Sequence, residues 1–200
     1  ARRIRLASAT VTTVPSCPPA PKGADLQPEP RDRGLRAAAP AGGPGAVLDR
    51  AGLRGRVHAT LAGFLTRQEQ RFATIEPAAL APVLAAARAL VLGNGKRLRP
   101  AFAYWGYRGA GGADGAEVVA AVSALEMVQA SALVHDDVMD GSDTRRGEPA
   151  AHKRFAALHR ATGWRGDPES FGTASAILLG DLCLVWSDEL LHGSGVEPAA

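Results

Sequence analysis

From near Val47 onward, apolar residues recur along this chain with a helical period. Leu53, Val57, Leu61, Phe64, Leu65, Phe72 and Ile75 follow one another at mostly three- and four-residue steps, which predicts an amphipathic helix from Leu53 to Ile75. Glu76-Pro77 begins a second helix, because proline is tolerated in a first turn. Leu80, Val83, Leu84, Ala87, Leu90 and Val91 form its apolar face, and Gly93 and Gly95 stop it. Pro100 opens a short aromatic segment that runs to Tyr107, and the glycine-rich stretch Gly109–Gly115 is a flexible connection. A fourth helix is predicted from Ala116 to Asp140, with Val118, Val119, Val122, Leu125, Val128, Ala132 and Leu133 on its buried face. Residues 141–170 read as irregular or short-helical, anchored by Phe155 and Trp164. The last helix, Phe171 to Leu191, is apolar nearly all round, which predicts burial between other helices. No strand-like alternation is found, so the class is all-α.

The residues before Val47 lack this pattern. Proline, glycine, alanine and arginine dominate 1–46, and stretches such as Pro15–Gly23 and Ala37–Gly45 cannot run as helix or strand. A disordered, solvated tail is expected there, followed by one folded region over 47–200. The formal net charge of +3 over 200 residues points to no nucleic-acid partner. Cys17 and Cys183 stand far apart in no metal or disulfide spacing, and a reducing cytoplasm suits them. Arg88, Glu126 and Asp181 interrupt the longest apolar runs, so no transmembrane segment is expected. The chain begins with Ala1 and ends at Ala200 within a helical pattern, so it is expected to be a fragment.

Two stretches carry the candidate chemistry. In LVHDDVMDGSDTRRG (Leu133–Gly147), Asp136, Asp137 and Asp140 close the apolar run; Asp143, Arg145 and Arg146 follow. On a helix, Asp136 and Asp140 differ by only ~40° around the axis. Like charges so close repel unless a cation holds them. Clustered carboxylate oxygens suit Mg²⁺, which completes its shell with water and substrate phosphates. The paired arginines match phosphate oxygens. Together these predict a Mg²⁺-bridged diphosphate site. In GNGKRLRP (Gly93–Pro100), a glycine-rich turn is followed by Lys96, Arg97 and Arg99, a second place where an anion can be gripped. The P-loop spacing is absent.

These motifs resemble those of the trans-isoprenyl diphosphate synthases. GNGKRLRP is similar to that family's GGKRxRP motif, with Asn94 in place of a glycine. HDDVMD with DTRRG matches its first aspartate-rich motif, DDxxD, and the trailing arginine pair. ILLGDLCL (Ile177–Leu184) looks like its later GD-containing helix. The resemblance covers roughly Leu53 to Leu191. It implies an isoprenoid synthase-type helical bundle, incomplete on its C-terminal side, and a homodimer in the full-length form. It also implies a geranylgeranyl diphosphate synthase-like prenyltransferase that joins isopentenyl diphosphate to an allylic prenyl diphosphate. Lys96, Arg97, Arg99, Gln129 and Arg146 would bind substrate, chiefly the isopentenyl diphosphate, and Arg145 the allylic diphosphate. Asp136 and Asp140 would ligate Mg²⁺ with Asp137 in support. In the implied reaction the allylic C–O bond ionises, Mg²⁺, Lys and Arg neutralise the departing diphosphate, the isopentenyl double bond attacks the cation, and a proton is lost.

Product length would be set along the fourth helix, below the aspartates. Ser131 and Ala132 are small where bulky aromatics stop the product early, so a geranylgeranyl or longer product is expected, with Val128 as a further stop. A second aspartate-rich motif, which the family uses to complete its Mg²⁺ cluster, is absent from these 200 residues. The chain by itself is therefore expected to be inactive and to expose apolar helix faces. Two rivals stand beside this reading. A non-catalytic prenyl-diphosphate-binding subunit is disfavoured by the intact DDxxD and arginine pair. A terpene cyclase is disfavoured by GNGKRLRP and Arg146, since cyclases need no isopentenyl site.

Overall fold

In the computed structural model, which describes residues 48–93 and 95–196, the apolar periodicities become helices. They are α1 (Leu53–Ala73), α2 (Pro77–Leu92), α3 (Leu98–Gly109), α4 (Ala116–Met139), α5 (Ala151–Thr162) and α6 (Pro168–His192). The expected tail 1–46, Cys17 and Asn94 lie outside the described residues. Local chemistry sets the helix ends. Pro77 and Pro168 occupy first turns, where a missing N–H costs nothing. The Asp167 carboxylate accepts the Ser170 N–H at 2.7 Å, capping α6. Gly163, at φ +68°, closes α5 in the left-handed conformation.

The all-α class holds, and α1 buries the face its sequence announced: Leu53, Val57, Leu61, Phe64 and Leu65. Trp186 of α6 meets Phe64 and Phe72, each at 6.1 Å between ring centroids. The longest interface is between α4 and α6. There α6 presents small residues (Ala176, Gly180, Cys183 and Ser187), all buried, which let the backbones approach. Ser187 donates from its hydroxyl to the Ala124 carbonyl at 3.1 Å across this interface. Burial pushes the Cys183 thiol up to about 12, since a thiolate cannot be solvated there. In a Cys17→Ser background, Cys183 is expected to react with a thiol reagent at neutral pH only as the fold opens. Labelling as fast as in the denatured chain would show the α4–α6 interface to be loose.

Two expectations are corrected, the buried face of α4 and the all-round burial of α6. Residues 141–170, expected as irregular or short-helical, are both: Thr144–Arg145 pairs antiparallel with Glu148–Pro149, and the short α5 follows. Of the expected anchors, Phe155 is in the core, whereas Trp164 is half-exposed and meets the rings of His159 and Phe171 edge-on. The buried face of α4 runs through Val119, Val122, Met127, Ala130 and Val134; Val128 and Ala132 face outward. The α6 crossing and the buried Glu126 fix that rotation. Finally, α6 is covered on one side only, and Leu178, Leu184 and Val185 are exposed among the described residues. Both α4 and α6 are long and apolar enough, by length and composition, to cross a membrane. Their packing against each other accounts for much of that apolarity.

Candidate functional site

The C-terminal end of α4 sorts its three carboxylates by direction. Asp136 and Asp140 are exposed, and they continue a four-residue stripe through Ala132 and Val128. Each step winds the stripe by ~40°. A polar head and an apolar lane thus lie end to end on one outward surface. Asp137 turns the other way and is only 3 % exposed. Its two oxygens accept from Arg145 Nε at 2.8 and 2.7 Å. Arg145 Nη2 lies 3.1 Å from Asp136 Oδ2. The Asp137 hydrogen bonds, against the cost of partial burial, hold the Arg145 guanidinium above its ordinary value. The structure therefore brings Asp136, Asp137 and Arg145 together, with Asp137 as the residue that orients the arginine.

A two-residue turn explains why the neighbouring arginine points elsewhere. Arg145 pairs with Glu148 in register, leaving Arg146 and Gly147 as the loop, both at positive φ (+56° and +82°). Such turns match the twist of a hairpin. Arg146 is exposed at the tip, and its guanidinium reaches back toward Gly93: a Cβ built on Gly93 would lie 3.6 Å from Arg146 Nη1. The space between the hairpin and α2 is a cavity of about 310 Å³ lined by Arg145, Arg146, Arg154 and Asp137 over apolar walls from Leu90 and Leu179. Arg154 lines this cavity while donating to the Pro149 carbonyl at 2.9 Å. Asp143 is neutralised by Lys153 at 3.1 Å and belongs to the hairpin's outer side.

The basic turn is divided as well. Lys96 and Arg99 are exposed. Lys96 lines a second cavity, of about 400 Å³, beside Asp49 and Leu53, not the one that holds Arg146. Gln129 is half-buried on α4. Arg97, expected among the phosphate-binding residues, is instead buried: 7 % of it is exposed. It pairs with Glu126 of α4 and donates to the carbonyls of Val91 and Gly93 at 2.8 and 3.2 Å. A buried carboxylate in an apolar helix demands such a partner, so Glu126 was the signal for it. Of the residues expected to limit product length, Ala132 and Val128 face outward but Ser131 is buried.

The donor set was tested for Mg²⁺ on its chemistry. Among the described residues, no group of three or more His, Cys, Asp or Glu side chains is arranged to hold a metal, because Asp137 is committed to Arg145. Asp140 enters no ion pair among them, and the Asp136 side chain is 56 % exposed. Asp140 and the second oxygen of Asp136, whose Oδ2 accepts from Arg145, suffice for an ion that takes its remaining ligands from water and phosphate, so the residues fit. His135 points the Nε2 end of its ring at Gly180: a Cβ there would be 2.2 Å from Nε2. That nitrogen is 3.1 Å from the Ile177 carbonyl and 3.5 Å from the exposed Asp181.

Residues 81–197 match the polyprenyl synthetase family. The geranylgeranyl diphosphate synthase of Methanosarcina mazei is 37% identical over 113 residues, 56% of this chain and 30% of that protein. The octaprenyl diphosphate synthase of Escherichia coli is 31% identical over 106 residues, 53% of this chain and 28% of that protein. Among solved structures, a geranylgeranyl pyrophosphate synthase from Corynebacterium glutamicum, complexed with isoprenyl diphosphate and magnesium, superposes with a TM-score of 0.67 at 40% identity. The match covers 72% of this chain and 42% of that one. The chain thus spans less than half the length of these relatives.

Proposed function

The chain belongs to the polyprenyl synthetase family, the trans-isoprenyl diphosphate synthases, and from that premise we propose that it carries the first half of a prenyltransferase site. The reaction is condensation of isopentenyl diphosphate with an allylic diphosphate. The observation that carries this reading is the division at the end of α4: Asp136 and Asp140 face outward at the head of an apolar lane, while Asp137 turns inward to hold Arg145. Asp136 and Asp140 would hold Mg²⁺. When bound, Mg²⁺ offsets the charge that builds on the allylic diphosphate as its C–O bond breaks. Arg145, fixed by Asp137, presents its remaining N–H groups to the same diphosphate without reorganisation. Arg146, with Lys96, Arg99 and Gln129, would hold the isopentenyl diphosphate, which would have to bridge the cavity lined by Arg146 and the separate one lined by Lys96. The small and aliphatic residues of the lane exclude water from the cationic carbon.

The lane below Asp136 is open at Ala132, which supports a geranylgeranyl or longer product. Joining these 200 residues to the remaining length of the Corynebacterium glutamicum relative gives a direct test. With radiolabelled isopentenyl diphosphate and an allylic primer, the chimera is expected to incorporate label in the presence of Mg²⁺, and the chain alone is expected to incorporate none. A folded chimera that incorporates nothing, or a chain that turns over unaided, overturns the proposal. In the same chimera, Ala132→Phe is expected to shorten the product by at least one isoprene unit. A farnesyl-only product before that change would remove the argument for an open lane.

A further inference from the structure

The basic turn holds one residue whose backbone and side chain are both unusual. Arg97 sits at φ +51° and ψ +39°, the left-handed region that a side chain with a Cβ enters only where its surroundings enforce it. Its side-chain contacts enforce it. The guanidinium closes the C-terminal end of α2 by taking the Val91 and Gly93 carbonyls, and it pairs with Glu126, which is 9 % exposed. Glu126 lies one helical turn before Gln129 on α4. Arg97 also stands directly before α3, whose first turn carries Arg99. One side chain thus ties α2, the turn and α4 together.

The reversal at Arg97 has a consequence for its neighbours. With Arg97 turned inward, Lys96 and Arg99 on either side are both left exposed, and the next residues, Pro100 and Ala101, return to the core. Three basic residues within four positions therefore divide into one internal strut and two exposed cations. We propose that Arg97 is a positioning residue: through Glu126 and the two carbonyls it fixes where Lys96 and Arg99 present their charges, and it does not itself touch diphosphate. This rests on the reading of Lys96 and Arg99 as diphosphate-binding side chains. A bidentate arginine fork suits the task because it satisfies a carboxylate and two carbonyls at once, which a lysine cannot.

The test is a cycle of substitutions in the full chain, read by calorimetric titration with inorganic diphosphate and by circular dichroism. Arg97→Met with Glu126→Leu removes both buried charges and is expected to stay folded, since apolar replacement of a buried pair is tolerated. Its affinity is expected to fall about tenfold, because misplaced binding groups lose much of their effect. Glu126→Gln keeps the acceptor's shape without its charge and is expected to give a smaller loss in the same direction. Arg97→Lys is expected not to restore binding. In a Lys96→Ala/Arg99→Ala background, already weakened, none of these changes is expected to matter further. Undiminished affinity in the folded variants overturns the proposal, as does an equal loss in that background, which would mark direct contact. A wild-type chain that binds no diphosphate, or binds it equally well without Lys96 and Arg99, overturns the underlying functional reading instead.

Discussion

Replacing Asp136 and Asp140 together with asparagine is expected to lower Mg²⁺-dependent affinity for an allylic diphosphate by about a hundredfold, the effect of losing both anchors of a bridging cation. The side chains are near-isosteric and exposed, so the fold should be unchanged, and the thermal transition of the variant is the control. Asp137→Asn is expected to behave in the opposite way. Asp137 is buried and holds Arg145 in a bidentate grip. Removing its charge strands a partly covered arginine, at a cost of about 1–2 kcal/mol after allowing for solvent around Arg145. Affinity should fall only as far as Arg145 loses its place. Titration calorimetry with geranyl diphosphate at saturating Mg²⁺ separates the two classes. Equal losses in all three aspartate variants, with equal stability, would contradict the division of roles.

Gly172→Ala is expected to destabilise the fold by about 3 kcal/mol, at the upper end of ordinary overpacking costs. A Cβ at this position would stand 2.3 Å from the His152 carbonyl oxygen and 3.0 Å from Ala156 N and Cβ. Both neighbours belong to α5, and two of the three atoms are backbone, so relief requires the helices to separate. Alanine's better helix propensity returns at most about 1 kcal/mol, too little to reverse the sign. Gly180→Ala is a useful contrast. There the obstructing atoms belong to the His135 ring, a side chain that can turn away, so a smaller loss is expected. Urea denaturation of the two variants measures both. A midpoint for Gly172→Ala at or above that of the wild type would show that α5 and α6 are not in close contact.

The sequence disclosed the site where residue type alone carries the chemistry. Asp136 and Asp140 four apart, the arginine pair and the glycine-rich basic turn were all legible, and the apolar face of α1 was read correctly from Leu53 to Leu65, although Ile75 is exposed beyond its end. Directions were less legible. Spacing places Asp137 beside the other carboxylates, but only the hairpin that follows, by bringing Arg145 back over α4, turns it into an internal partner. That hairpin lacks the Asn-Gly or Asp-Gly signal; Gly147 was its one local sign, and Arg146 pays the left-handed cost itself. The same holds for Arg97. Nothing in a run of basic residues says which one turns inward, although the acidic residue in the apolar run, Glu126, announced that some cation must meet it. The rotation of α4 was also beyond reach, because it depends on small residues of α6 some fifty positions later in the chain. Val128 and Ala132 were consequently placed on the buried face when they line the outward lane.

The most direct test of the central claim is the metal dependence of allylic diphosphate binding by the chain itself. Geranyl diphosphate is titrated in the presence of Mg²⁺, again after chelation, and again after Mg²⁺ is restored. Binding that appears with the ion, disappears on chelation, returns on restoration and is absent from the Asp136→Asn/Asp140→Asn variant is the predicted result. Binding that is indifferent to Mg²⁺, or that survives unchanged in that variant, would contradict the assignment of this helix end as a diphosphate site.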